Sequence, residues 1–287
     1  MKIVSYERNG AASVGVIVGT GVADIGARLG VGSLREMLQR GLLENIRGLT
    51  LEAEHELDAV RLLPVVPDPR HIICVGVNYL DHLKEVQAAG VSRPPPKEPS
   101  LFIRLADSLV AHGAPLLIPK VSDQLDYEAE LAVIIGRGGR YIEEAHALEH
   151  VAGYSCFNDG SIRDWQFHST QVTPGKNFPS TGALGPWMVT AEEVPDPHRL
   201  DIALLLNGKT MQHGNTSDFI FTIPKILSYI SSFAMLRPGD VIATGTPAGV
   251  GFSRKPPVFM KAGDICEVRI ENIGVLRNPV AQEPSHL

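Results

Sequence analysis

Residues 125–136, LDYEAELAVIIG, constrain this fold more than any other stretch of the chain. The second half is an unbroken apolar run, the mark of a strand that ends as buried core. The first half sets Asp126, Glu128 and Glu130 between Tyr127, Ala129 and Leu131. Side chains alternate along a strand, so Glu128 and Glu130 share one face. Two carboxylates at that spacing repel, and the repulsion grows as water is withdrawn. Either this end of the strand is a solvated edge, or a divalent cation sits between the carboxylates. A hard ion such as Mg²⁺ takes oxygen ligands and keeps some of its water.

A third carboxylate is available. GYSCFNDG carries an apolar strand to Asp159 and then Gly160. Such an aspartate either starts a turn or acts as a ligand. Three carboxylates without a His or Cys cluster favour Mg²⁺ or Mn²⁺ over zinc. NYLDHLKE places His82 and Glu85 three apart on a predicted helix, on one face and in contact range. They are either a solvated pair or a general base whose ring the carboxylate orients.

SIRDWQ offers Arg163 and Gln166 just after Asp159, and PGKNFP offers Lys176 in a Gly/Pro loop. An arginine can grip a substrate carboxylate through two bonds, and a lysine can steady a developing enolate. Either can equally be surface charge. ATGTPAGVG puts Thr244 and Thr246 in a Gly-rich turn without the Lys-Ser/Thr end of a P-loop. It reads as donors facing a small anion, not a nucleotide cradle.

Elsewhere the chain alternates strand, turn and helix signals without a regular βα rhythm, which argues against a doubly wound fold. KIVSYE and ASVGVIVG predict a hairpin at Asn9-Gly10. SLREMLQRGLLENI predicts one helix, capped by Ser33 with Glu36 three residues on. Pro64, Pro67 and Pro69 then divide a small N-terminal α/β domain, 1–66, from a catalytic domain, 70–287. SRPPPKEPS is irregular and reads as a lid beside the His82 helix. Leu80–Gly90, YIEEAHALEHV and TIPKILSYISSF predict further helices, and AGDICEVRIENIGVLRNPV a pair of strands.

Net charge is −6 with no basic patch, so nucleic acid is not an expected partner. No run reaches the ~20 apolar residues that span a bilayer, and the start lacks the apolar core of a signal peptide. Cys74, Cys156 and Cys266 stand singly in apolar runs, in keeping with a reducing, cytoplasmic setting.

Seven motifs in order resemble the fumarylacetoacetate hydrolase superfamily over about residues 72–279: CVGVNYLDHLKE, DYEAELAVIIG, GYSCFNDGSIRDWQ, GPWMVT, NGKTMQHGNTSDFIF, LRPGDVIATGTPAGVG and AGDICEVRIENIGVLRNPV. The resemblance implies an α+β fold, a strand-rich mixed β-sandwich roll behind the small N-terminal domain, working as a homodimer. It implies Mg²⁺ or Mn²⁺ between Glu128, Glu130 and Asp159. It makes His82–Glu85 the catalytic dyad on a ligand-ordered segment, and Lys176 a holder of substrate oxygens. Arg163, Gln166 and Thr246 fall at positions that line the pocket. Three positions depart from the pattern: Pro179 for a common Asp, Asn177 for a common Ser, and Gly160 for a commonly apolar residue. The expected substrate is a small oxo acid, with hydrolysis of an acylpyruvate to pyruvate and a carboxylic acid as the leading expectation. Decarboxylation of a β-keto acid such as oxaloacetate, or enol/keto isomerisation at the same metal site, is the alternative, and a non-catalytic dicarboxylate sensor a third.

Overall fold

The computed structural model describes residues 1–91 and 94–285. Ser92 and Arg93, part of the predicted lid, lie outside the described residues. The strands used below are β1 Lys2–Arg8, β2 Ala11–Val18, β3 Gly21–Asp24, β4 Ile72–Val75, β5 Leu101–Arg104, β6 Leu116–Ile118, β7 Ala129–Ile135, β8 Val151–Asn158, β9 Gly182–Thr190, β10 Asp201–Leu206, β11 Lys209–Asn215, β12 Val241–Ala243, β13 Ile265–Ile270 and β14 Gly274–Gln282. The helices are α1 Leu34–Gln39, α2 Leu80–Ala88 and α3 Ile223–Phe233.

Two sheets face each other, and the fold is the expected strand-rich α+β arrangement. A twelve-stranded sheet runs β3-β2-β1-β9-β8-β7-β12-β4-β5, with three two-residue strands added. A five-stranded sheet runs β11-β10-β13-β14-β6. Between them Leu131, Val133 and Ile135 of β7 meet Ile202, Leu204 and Val268, and α3 adds Ile223, Ile226, Leu227 and Ile230. The alternate residues Ala132 and Ile134 point the other way, into a second core with Ile3, Leu34 and Met37. β7 is therefore buried on both faces, which is why its sequence is a continuous apolar run.

The turns behave as their residues require. Asn9-Gly10 and Asn207-Gly208 both take positive φ at two successive positions, the geometry that suits a two-residue hairpin. Ser33 caps α1 by accepting from the Glu36 N–H. α1 ends at Gln39, however, rather than running on to residue 46: Gly41 adopts φ 66°, and the segment turns. YIEEAHALEHV likewise forms a short 3₁₀ stretch, Glu144–His150, rather than an α-helix. β1 pairs with β9, so the N-terminal strands extend the large sheet.

The opening segment is not one strand. It breaks at Tyr127–Glu128: Leu125–Asp126 pairs with Ser161–Ile162, and β7 pairs with β8. The partner breaks at Asp159–Gly160, opposite the first break, and the Asp159 N–H donates to the Glu128 carbonyl across the gap at 2.9 Å. Two facing interruptions in paired strands thus bring Glu128 and Asp159 together.

Candidate metal and active site

At that shared break a carboxylate oxygen from each of Glu128, Glu130 and Asp159 lies within 4.8 Å of the others, and all three residues are buried. At an effective dielectric of ~20, two ionised groups at that distance oppose each other by about 3–4 kcal/mol. The solvated-edge reading is excluded by burial, so the charge has to be met from within.

Three buried cations meet part of it. Lys176 Nζ stands 2.6 Å from Glu128 Oε2 and 2.6 Å from Asp159 Oδ2. Arg163 Nε donates to Asp126 Oδ2 at 2.8 Å, and its Nη1 donates to Gln166 Oε1 at 2.7 Å. Arg163 Nη2 comes within 2.6 Å of Glu128 Oε1, bent too far from the N–H direction for a hydrogen bond, so that contact is ionic. Arg104 Nη1 donates to Asp159 Oδ1 at 2.6 Å and to the Gly160 carbonyl at 2.9 Å.

The compensation is uneven. Burial raises Glu128, but Lys176 and Arg163 outweigh it and hold its carboxyl well below the ordinary range. Burial lowers Lys176, but Asp159 and Glu128 outweigh it and keep it a fixed ammonium. Among the described residues no cation is hydrogen-bonded to Glu130; its Oε2 accepts the Gly245 N–H at 2.8 Å. Burial, then Asp159 and Glu128, push it well above the usual carboxylate range. A hard divalent cation fits this set: three oxygen donors, buried, with one carboxylate the protein leaves undercompensated.

The dyad is formed. His82 Nδ1 lies 2.8 Å from Glu85 Oε2, and His82 is 5% exposed. Glu85 Oε1 accepts from the Gly249 N–H at 2.9 Å and from Ser253 Oγ at 2.5 Å. Burial works against its charge, but His82 and Ser253 outweigh it and the Glu85 carboxyl is lowered. The next residues of that loop, Gly251 and Phe252, donate their N–H groups to Asp126 at 2.8 and 2.9 Å. One loop, residues 244–254, therefore ties the dyad to Asp126 and, through Gly245, to Glu130.

All nine residues singled out in the sequence contribute to this one neighbourhood. Thr246 is buried, and its Oγ1 accepts from Gln212 Nε2 at 2.7 Å. Gln166 reaches the site through Arg163. Sequence reasoning missed Arg104 and Gln212, and it set Asp126 on the acidic face without giving it a role. The apolar neighbours of Arg104 in LFIRL were the available hint that it turns inward. Asp126 is not in the triad; it accepts from Arg163, Gly251 and Phe252 and anchors the loop.

The departures also find physical reasons. Asn177 Oδ1 accepts the Leu105 N–H at 2.6 Å, and its Nδ2 donates to the Ile103 and Thr173 carbonyls, pinning the Lys176 loop. Pro179 is exposed. At Gly160 a Cβ would stand 1.8 Å from the Thr181 carbonyl oxygen, so glycine is required by a close backbone approach. Gly160→Ala is expected to cost roughly 3 kcal/mol or more, a displacement of packed backbone being more costly than a typical core change. Urea unfolding would read this, and an unchanged midpoint would refute it.

Fold and site together place a buried acidic triad that could hold a metal ion beside a hydrogen-bonded His–Glu pair. Residues 71–281 match the fumarylacetoacetate (FAA) hydrolase C-terminal family, and the chain belongs to that family. It is 41% identical over 253 residues to the mitochondrial oxaloacetate tautomerase of Xenopus laevis, covering 86% of this chain and 78% of that protein. The solved fumarylacetoacetate hydrolase of the psychrophile Exiguobacterium antarcticum superposes with a TM-score of 0.85 at 38% identity, covering 99% of this chain and all of that one. Maleylpyruvate hydrolase of a Sphingobium species, solved with manganese (II) and pyruvate, superposes at 0.79 with 29% identity over 99% of this chain and 100% of that one. No helix among the described residues is long and apolar enough to cross a membrane.

Proposed function

We propose that this protein is a metal-dependent enzyme that interconverts the keto and enol forms of a small 2-oxo dicarboxylate of the oxaloacetate type. The observation that carries the reading is the enclosed His82–Glu85 dyad, tied through one loop to the acidic triad. The names of the related tautomerases support it. Mg²⁺ or Mn²⁺ held by Glu128, Glu130 and Asp159 would supply Lewis-acid stabilisation of enolate charge.

The chain's own groups do the rest. Glu85, held ionised, accepts a hydrogen bond from His82 Nδ1–H, which keeps its proton and leaves Nε2 as the base. His82 Nε2 takes a proton from C3 of the keto acid and returns one to the oxygen on C2, so no atom is gained or lost. Lys176, kept as an ammonium by its two carboxylates, serves as fixed positive charge and not as a proton donor. Arg163, oriented by Gln166, and the Thr246 hydroxyl face the substrate carboxylate. Dimerisation and a cytoplasmic home belong to the same proposal, the latter supported by three buried free cysteines.

Hydrolysis of an acylpyruvate is the second reading, favoured by the likeness to maleylpyruvate hydrolase. It needs the same dyad to deprotonate water. Metal-stripped protein would be given oxaloacetate and acylpyruvates with and without Mg²⁺ or Mn²⁺, and products followed by NMR. Faster keto–enol exchange without CO₂ or free acid is expected. Pyruvate plus a carboxylic acid would select the hydrolase, and CO₂ a decarboxylase. His82→Gln is expected to lower kcat by about 10²–10⁴-fold with Mn²⁺ affinity intact; full activity in that variant would remove the dyad from the mechanism.

A further inference from the structure

Gln212 belongs to β11, an edge strand of the smaller sheet, yet it is 1% exposed and its amide is fully used. Its Oε1 accepts the Ala129 N–H at 2.9 Å, between the two glutamates of the triad. Its Nε2 donates to Thr246 Oγ1 at 2.7 Å and to the Pro247 carbonyl at 2.8 Å. The need for it is local. β12 pairs with β7 only over Ala132–Ile134, so the neighbouring strand has ended before Ala129. A buried N–H there must find another acceptor. A primary amide alone among side chains can accept from one backbone group and donate twice from the same rigid plane.

The geometry points to Gln212 as the positioning residue that makes the Thr246 hydroxyl a hydrogen-bond donor to the substrate carboxylate. A threonine hydroxyl has one proton to give and accepts on its lone pairs. Gln212 Nε2 donates to a Thr246 lone pair and cannot accept in return, because an amide nitrogen's lone pair is delocalised, and the Ala129 N–H on Oε1 fixes which end of the amide faces Thr246. The Thr246 proton is thereby turned away from Gln212. The neighbouring Gly245 N–H is held on Glu130, so the backbone that carries Thr246 is fixed to the triad as well. Gln212 thus sets the direction of Thr246 without touching substrate. The inference rests on the substrate role proposed above for Thr246.

The test uses oxalate, a planar mimic of the enolate of a 2-oxo acid, titrated calorimetrically into Mg²⁺-loaded protein. Thr246→Val is expected to weaken oxalate binding about tenfold or more, the loss of a hydrogen bond to a charged group. Gln212→Met, of similar length, is expected to do the same. The double variant should be little worse than either, because both remove one interaction. Gln212→Glu guards against a folding failure: it keeps the acceptor for Ala129 but replaces both donors, and should also lose about tenfold. Oxalate affinity unchanged in both Gln212 variants while Thr246→Val is weakened would overturn the inference alone. Unchanged affinity in Thr246→Val would overturn the substrate role of Thr246 beneath it. Independent, additive losses would make Gln212 merely structural. Mn²⁺ affinity of Gln212→Glu, read by electron paramagnetic resonance, should stay within about threefold of the parent; a larger loss would make Gln212 a support of the ion site and would also overturn the inference.

Discussion

Glu130→Gln is expected to abolish metal-stimulated turnover and yet leave the ion-free protein more stable than the parent at neutral pH. The two effects have one cause. Lys176 spans Glu128 and Asp159, while among the described residues Glu130 accepts the Gly245 N–H and no cation. In the ion-free protein Glu130 is a buried carboxyl beside two like charges, and its affinity for a proton is raised. Gln keeps the acceptor for Gly245 and removes the charge. Replacing a buried carboxyl, which must either carry an undercompensated charge or hold a proton that the unfolded chain has released, by a neutral isostere gains on the order of 1–3 kcal/mol. Losing a ligand oxygen of the ion should cost at least ~10²-fold in metal affinity, since second-shell losses alone reach that range.

The pH dependence follows with a definite sign. Above the ordinary carboxylate range the unfolded chain has released the Glu130 proton while the folded protein still holds it. The folded state then binds more protons, so stability falls as pH rises until the folded group ionises. Ion-free parent should therefore lose stability with rising pH through and above the usual carboxylate range, and Glu130→Gln should lack that component. Mg²⁺ should raise the melting temperature of the parent, by linkage, and not that of the variant. Thermal shifts across pH, with and without Mg²⁺, check all of this. A variant less stable than the ion-free parent would refute the undercompensated carboxyl, and a preserved Mg²⁺ shift would refute Glu130 as a ligand.

Much of this site was readable in the sequence because its parts are short-range. His82 and Glu85 are a helical i,i+3 pair, and α2 delivers that contact without help from the rest of the fold. Glu128 and Glu130 are two apart next to an apolar run, and the run itself announced burial. What stayed hidden was the means of compensation. Asp126 looked like a third member of an alternating acidic face, but the break at Tyr127–Glu128 redirects it to Arg163 and the Gly251–Phe252 turn. Gln212 lies 83 residues from Ala129, and no local pattern predicts which strand lacks a neighbour. The α1 helix stopped early for the opposite reason: periodicity continued through LLENI, but the left-handed turn at Gly41 overrode it.

Arg104→Leu carries the largest expected loss of stability. Arg104 is 3% exposed and its guanidinium makes five hydrogen bonds. They go to Asp159 Oδ1, the Gly160 and Ser108 carbonyls, Ser108 Oγ and Thr181 Oγ1. Leucine would leave one buried carboxylate and several acceptors without donors at once. Breaking one side of a buried pair costs about 3–5 kcal/mol, because the remaining charge is uncompensated. For a chain of this size that is a fall of roughly 5–8 °C in melting temperature. Arg104→Lys should recover only part of it: an ammonium can follow the charge of Asp159 but not the forked contacts to Thr181 and Gly160. Added Mg²⁺ should narrow the gap between Arg104→Leu and the parent, because a cation on Asp159 replaces part of what the arginine supplied. If the gap stayed equal with and without Mg²⁺, Arg104 would be a packing residue and the charge of Asp159 would be balanced elsewhere. A larger Mg²⁺-induced rise in melting temperature in Arg104→Leu than in the parent, and no rise in Glu130→Gln, would separate a residue that compensates the triad from one that belongs to it.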